Sequence, residues 1–324
     1  MRGAAVTMSE DIPPEGADVI LASDYLDLAS LAGMLPPRLS RIPRAVYFHE
    51  NQLTYPLPAE DERDYQFGFT NITSCLSAGL VIFNSRYHRD SFLDAVDALL
   101  RKMPDCVPGG VGERIRERAV VIPVGVDLEG IDQARPKEAS RTGPLRILWN
   151  HRWEFDKAPE AFFDAMAALE AEGREFELVV VGQSFRTRPE AFERARTALA
   201  HRLRAFGYVE SREEYLRHLW ESDVVVSTAV HEFFGIAVVE AMRAGCAPLL
   251  PHGLSYPELL PERLHGTCLY ATQDELLDRL RRWTERPEEA RSVDVRGEME
   301  RFGWPCVAPA LDGALEEFVE GSKT

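Results

Sequence analysis

The chain has no apolar run of the roughly 18–20 residues that a bilayer-crossing helix needs. Its first residues, Met1 to Asp11, hold an apolar part too short for a secretory signal, and acids follow at once. Cysteine is scarce: five in 324 residues, at positions 75, 106, 246, 268 and 306. They form no Cys-x-x-Cys pair and no His/Cys ligand spacing, so no structural zinc is expected, and an odd, scattered set reads as reduced thiols in a cytoplasmic protein. Positive charge is also short. Lys plus Arg number 37 against 53 Asp plus Glu, a net charge of −16, which opposes nucleic-acid binding driven by phosphate neutralisation and favours solubility. Asp-x-Asp is absent, which argues against a divalent metal bridging a diphosphate. Repeats and low-complexity segments are missing too.

What is present is ordinary globular material. Apolar residues make up 45% and charged residues 28%, and the length suits two domains. Strand-like runs alternate with helical stretches. Asp18–Ala22, Ala45–Phe48, Leu80–Phe83 and Val120–Pro123 read as strands, with helices from Tyr65 to Ala78 and from Arg86 to Lys102. Pro104 to Gly112 reads as a loop. The pattern restarts with strands at Leu145–Trp149, Phe176–Val181, Val224–Ser227 and Ala247–Leu250. Helices are expected at Pro159–Ala171, Pro189–Arg204 and Ser211–Glu221, with a last one from Trp304 to Val319. Such alternation predicts parallel sheets covered on both faces, an α/β fold. Polar residues from Gly125 to Pro144 mark the linker region. The expected limits are a first domain at 1–130, a linker at 131–144, a second domain at 145–302 and a C-terminal helix at 303–324 that packs back toward the first.

The chain is organised around His231-Glu-Phe-Phe-Gly-Ile-Ala-Val-Val-Glu-Ala241. A β-branched strand precedes it and a helix ending at Gly245 follows, so Glu232 and Glu240 bracket a helix N-terminus. Open N–H groups at Phe234, Gly235, Ile236 and Ala237, with the helix dipole, suit an anion, and Gly235 lets a phosphate approach the backbone. Acids near a helix start are also common for stability alone. Arg152 and Lys157 follow the Leu145–Trp149 strand, on a loop at a carboxyl end, where open α/β sheets bind ligands. Spaced five apart, they are expected to converge on one diphosphate, although salt bridges to Glu154 or Asp156 are the usual fate of such charges. His49 leaves another strand end, and Asn51 and Gln52 beside it are natural hydroxyl readers. One segment is basic: from Gln183 to Gly207 stand six arginines, including Arg186 and Arg188, against two acids. A solvated helix face would explain that charge equally.

The segment from Glu232 to Glu240 resembles the glutamate-x7-glutamate motif of retaining glycosyltransferases with the GT-B fold, two Rossmann-like domains facing a cleft. That resemblance implies that Glu232 reaches the donor sugar, Glu240 holds the nucleotide ribose, and Arg152 and Lys157 grip the diphosphate. It also implies that His49 contacts the sugar across the cleft. More narrowly, Phe48-His-Glu-Asn-Gln-Leu-Thr-Tyr-Pro56, Trp149-Asn-His-Arg-Trp-Glu154, Gly182-Gln-Ser-Phe185, Ser227-Thr-Ala-Val-His-Glu-Phe-Phe-Gly235 and Leu254-Ser-Tyr-Pro-Glu258 are similar to the tRNA-queuosine α-mannosyltransferase family. The resemblance runs through nearly the whole chain. It implies GDP-mannose as donor and the cyclopentene diol of queuosine in the aspartate tRNA as acceptor; the missing Asp-x-Asp pair leaves no metal cofactor expected. On the same footing Gly182 and Gln183 join the donor side, and Glu50, Asn51, Gln52, Arg186 and Arg188 the acceptor side.

Two departures qualify it. The family begins with a strand and a Gly-Gly-Ser-His loop, whereas Arg2-Gly-Ala-Ala5 opens this chain, so the first βα unit is expected to be missing, leaving an exposed sheet edge. The acidic charge is the second departure. Two alternatives therefore stand beside transfer to tRNA: a glycosyltransferase with a glycan, lipid or small-molecule acceptor, and an inactive nucleotide-sugar or tRNA-binding module. A hydrolase is disfavoured, since no carboxylate pair is placed as acid and nucleophile.

Overall fold

The computed structural model describes residues 3–12, 17–57, 63–137, 141–184 and 189–322. The chain divides into two units, Met1–Val124 together with Val307–Thr324, and Gly125–Cys306.

In the first unit, β1 (Ile20–Ser23), β2 (Arg44–Phe48), β3 (Leu80–Phe83) and β4 (Ala119–Val121) form a parallel sheet in sequence order. Side chains alternate along a strand, and in the central strands β2 and β3 both faces are buried, which is why these two read as continuous apolar runs. Val46, Phe48, Val81 and Phe83 pack on one side with Ile72, Cys75, Phe92 and Val96 of the helices Tyr65–Ser77 and Arg86–Leu100. Ala45, Tyr47, Leu80 and Ile82 pack on the other with Val307, Leu311 and Phe318 of the helix Trp304–Gly321. Asp64 and Ser85 cap the first two helices by accepting from the N–H groups of Gln66 and His88.

The second unit holds β5 (Leu145–Trp149), β6 (Phe176–Val181), β7 (Leu203–Gly207), β8 (Val224–Val226), β9 (Ala247–Pro251) and β10 (Leu269–Tyr270). All pair in parallel in the order β10-β9-β8-β5-β6-β7. The chain starts in the middle at β5, runs outward through β6 and β7, then returns to β8 on β5's other side. This reversal is the topological switch point of a Rossmann-like sheet, and ligands bind outside the strand carboxyl ends there. Trp149, Trp153, Phe162, Phe192 and Met166 fill the core on one face, with the Trp153 and Phe192 rings stacked at 4.0 Å between centroids.

Three sequence expectations are corrected. The helix expected over Pro189–Arg204 ends at Ala198, and the chain then enters β7. Arg202 and Arg204, two apart, belong to a strand period: they pair with Glu170, Glu175 and Glu177, while Leu203 and Phe206 pack against the core. Charged side chains suit this edge strand. The loop expected from Pro104 to Gly112 gives way at Val111 to a helix, Val111–Arg116, entered through Gly110 at φ 67°. The linker expected at 131–144, like the limit at 130, also changes. Residues from Gly125 onward belong to the second unit, the helix Leu128–Gln133 forms there, and the Arg141 guanidinium donates to the carbonyls of Trp220, Ala244 and Gly245.

The β5 and β6 exits touch. The Trp153 N–H donates to the Gln183 carbonyl at 2.9 Å, and a Cβ on Gly182 would lie 1.8 Å from the His151 carbonyl oxygen. Backbone cannot yield as a flexible side chain would. Gly182→Ala should therefore cost about 1–3 kcal/mol, as overpacking does, measurable as a lowered urea midpoint at constant slope. An unchanged midpoint would show that the two exits move apart freely.

Candidate active site

The loop after β5 and the loop after β8 meet at the switch point. The Lys157 ammonium, 5% exposed, donates to the His231 carbonyl at 2.8 Å and to Glu232 Oε2 at 3.3 Å. Asp156 Oδ2 lies 3.0 Å away. That third contact is an ion pair rather than a directed hydrogen bond, since neither Asp156 oxygen has a hydrogen-bond partner among the described residues. Burying three charges is tolerable only because they compensate one another. Lys157 is thus a fixed ammonium, not the freely converging side chain expected from sequence. The loops are tied further by Thr228 Oγ1 donating to the Lys157 carbonyl at 2.9 Å and by the Val230 N–H donating to the Asp156 carbonyl.

Arg152 lies near the surface with Glu154 Oε2 at 3.3 Å, and its charge, like that of Lys157, acts on His231. Glu232 accepts from the Phe234 N–H at 3.2 Å through Oε1. Burial raises its pKa, but Lys157, the Phe234 N–H and His151 more than offset this, so its carboxyl titrates below the usual range. This corrects the expectation for Phe234. Its amide serves Glu232, and its ring is buried edge-on against Phe302. Gly235, Ile236 and Ala237 are left as the amides at the start of the helix Ile236–Arg243. Gly235 has φ 101°, the left-handed region that a side chain would strain.

Glu240, from the first turns of that helix, is almost buried. Its Oε1 meets Arg212 Nη2 at 2.6 Å, and its Oε2 accepts from the Tyr215 hydroxyl at 2.9 Å. Asn150 Nδ2, from the end of β5, donates to the Tyr215 oxygen at 3.1 Å and to the Ala237 carbonyl at 2.8 Å. Alongside is a cavity of about 320 Å³ lined by Gly182, Gln183, Tyr208, Glu210, Arg212 and Tyr215. Gly182 and Gln183 were legible in sequence. Tyr208, Glu210, Arg212 and Tyr215 were missed, because they enter through the β7 exit and the helix after it, whose neighbours the sequence does not reveal.

In the first unit, His49 has a half-exposed ring. Its Nδ1 lies 3.6 Å from Asp24 Oδ1, which also accepts the His49 N–H at 3.0 Å. Asn51 is corrected: it is fully buried, and its Oδ1 accepts from the N–H groups of Leu53 and Thr54, an Asx-type turn that leaves it no hydroxyl to read. Gln52 Nε2 donates to Glu50 Oε1 at 3.3 Å. Arg186 and Arg188 lie outside the described residues. Among the described residues, no group of three or more His, Cys, Asp or Glu side chains could hold a metal ion, and no helix is long and apolar enough to cross a membrane.

Comparison with known proteins decides the family. Residues 1–126 match the model of the tRNA-queuosine alpha-mannosyltransferase N-terminal region, and residues 130–298 that of glycosyl transferases group 1. A tRNA-queuosine alpha-mannosyltransferase of Drosophila melanogaster is 39% identical over 274 residues, covering 82% of this chain and 72% of that protein. The chain belongs to the tRNA-queuosine α-mannosyltransferase family. A Mycobacterium tuberculosis GDP-mannose-dependent alpha-(1-6)-phosphatidylinositol dimannoside mannosyltransferase is 25% identical over 324 residues, covering 97% of this chain and 77% of that one. Anabaena HepE in complex with UDP superposes with TM-score 0.69 at 17% identity, covering 98% of this chain and 81% of that one. Sucrose-phosphate synthase from Thermosynechococcus elongatus gives 0.67 at 19% identity, covering 94% and 74%. The fold is GT-B, and the chain is a hexosyltransferase.

Two histidines give this family member a pH signature. Burial, then the Lys157 charge, lowers His231 to about 4, against opposing pulls from Asp156 and Glu232. His151 is lowered to about 4 by burial and Lys157, again against Glu232 and Asp156. In the unfolded chain both protonate near pH ~6.5. Between pH 6.5 and 4 unfolding therefore takes up protons, and stability falls as pH falls. Depressed Glu232 acts in the same direction, its contribution vanishing as pH drops through its folded value. The urea midpoint should decline steadily from about pH 6.5 downward; a flat midpoint to about pH 5 would mean these imidazoles are charged in the folded protein.

Proposed function

We propose that the chain transfers mannose from GDP-mannose to queuosine in the aspartate tRNA, with retention of anomeric configuration. The observation that carries this is the meeting of Lys157 and Glu232 beside the start of the helix Ile236–Arg243 at the switch point, in a chain whose relative is named for that reaction. In this reading the donor diphosphate lies against the amides of Gly235, Ile236 and Ala237, with Arg152 and Lys157 matching the charge that grows as the bond to the sugar breaks. The phosphate takes the acceptor proton, so no protein nucleophile is needed. Glu232 accepts from sugar hydroxyls and Glu240 from the ribose. The cavity beside Glu240 receives the base, where Glu210 gives a guanine edge an acceptor and Tyr208, largely exposed, gives it an aromatic face. The reaction runs in the cytoplasm and needs no divalent metal.

Purified protein with radiolabelled GDP-mannose should label queuosine-containing aspartate tRNA and leave the same tRNA with unmodified guanine at the wobble position unlabelled. Labelling of neither, with transfer to a glycan or small diol, would support the second reading, an acceptor other than RNA, which the net charge of −16 favours. Excess EDTA should leave turnover unchanged, and loss of activity restored by magnesium would overturn the metal-free mechanism. Arg152→Ala should lower turnover by about 10²-fold, as loss of one transition-state partner does, while the melting temperature barely moves, because exposed ion pairs contribute little. Equal turnover would remove Arg152 from the site.

A further inference from the structure

Glu240 is held by two residues that line the cavity, Arg212 and Tyr215. Among the described residues each of its oxygens is engaged once, Oε1 by Arg212 at 2.6 Å and Oε2 by the Tyr215 hydroxyl at 2.9 Å. The phenol is held in turn. Asn150 Nδ2 donates to its oxygen at 3.1 Å, so the Tyr215 proton is directed to Glu240. Asn150 also donates to the Ala237 carbonyl at 2.8 Å, tying the end of β5 to the helix that carries Glu240. Arg212 stacks over the Tyr215 ring with its guanidinium carbon 5.2 Å from the centroid. Arg212 and Tyr215 both line the cavity.

We infer that Tyr215, steered by Asn150, and Arg212 are positioning residues that fix the Glu240 carboxylate to accept from the two hydroxyls of a ribose cis-diol, and so make the site selective for ribonucleotides. An ionised carboxylate has about four lone-pair sites. With two filled among the described residues, one remains on each oxygen, the number a 2′,3′-diol requires. Fixing both oxygens in advance removes the ordering cost that a free glutamate would carry on binding. Burial, with the Glu240 charge beside it, pushes the Tyr215 pKa well above its ordinary value, so the phenol remains a donor across the working pH range. The inference rests on the nucleotide-sugar reading of this site but not on the identity of its base.

The test is calorimetric titration of the full chain with GDP, 2′-deoxy-GDP, UDP and 2′-deoxy-UDP. Wild-type protein should prefer the ribose form of whichever nucleotide binds, and Tyr215→Phe should reduce that preference roughly tenfold by weakening the ribose form alone. Arg212→Ala, at a half-exposed side chain, should reduce it in the same sense without threatening the core. Circular dichroism melting confirms that both variants are folded. Equal weakening of ribose and deoxyribose forms, or a wild type without preference, overturns the positioning role while leaving nucleotide binding intact. Failure of every nucleoside diphosphate to bind overturns the nucleotide reading and this inference together.

Discussion

A single ammonium ties the second unit's site together. Lys157 is buried with Asp156 and Glu232 as counter-charges and the His231 carbonyl as acceptor. A charge in that position is stable only with its partners in place, because removing one leaves the others uncompensated at a cost of about 3–5 kcal/mol. The β5 and β8 exits are thereby locked to one another at the point where the strand order reverses. Helix start, carboxylate and ammonium are then held in fixed relation before any ligand arrives. Such preorganisation is what electrostatic catalysis of a departing diphosphate demands.

The same constraint explains the neighbouring titrations. Burial and a fixed positive charge keep His151 and His231 neutral, and that charge draws Glu232 toward the ionised form against the effect of its own burial. Lys157 is therefore not a spare cation. Its charge is already matched by two carboxylates, and a diphosphate must compete with Glu232 for one of its protons. Arg152, whose side chain is half-exposed and lies in ion-pair range of Glu154, is held less deeply than Lys157. The two cations thus have different tasks, one structural and electrostatic, the other adaptable.

Much of this was legible in the sequence. Leu145–Trp149, Phe176–Val181 and Val224–Val226 are largely apolar runs, broken only by Arg146 and Glu177, of the kind that a sheet covered on both faces requires. The residues immediately after them had to lie at strand ends, which made Lys157 and Glu232 visible. Asp156 was not, since a buried carboxylate reads as a surface charge until its partner is known. Tyr215 and Glu210 depended on β7 lying beside β6, and the strand nature of Leu203–Gly207 was hidden by arginines that extend a helical pattern as readily as an edge strand. Asn51 was misread for a local reason. The Asn-x-x-Thr spacing just beyond the end of β2 is a turn signal, and the turn consumed the side chain.

The central role of Lys157 is tested most directly by the distance from its Nζ to the terminal phosphate of a bound nucleoside diphosphate in a crystal structure. A charge-assisted contact of about 2.7–2.9 Å is expected, with the Ile236 and Ala237 amides on the same phosphate and Glu232 withdrawn from the ammonium. A phosphate seated elsewhere, with the Lys157–Glu232 hydrogen bond intact, would contradict it.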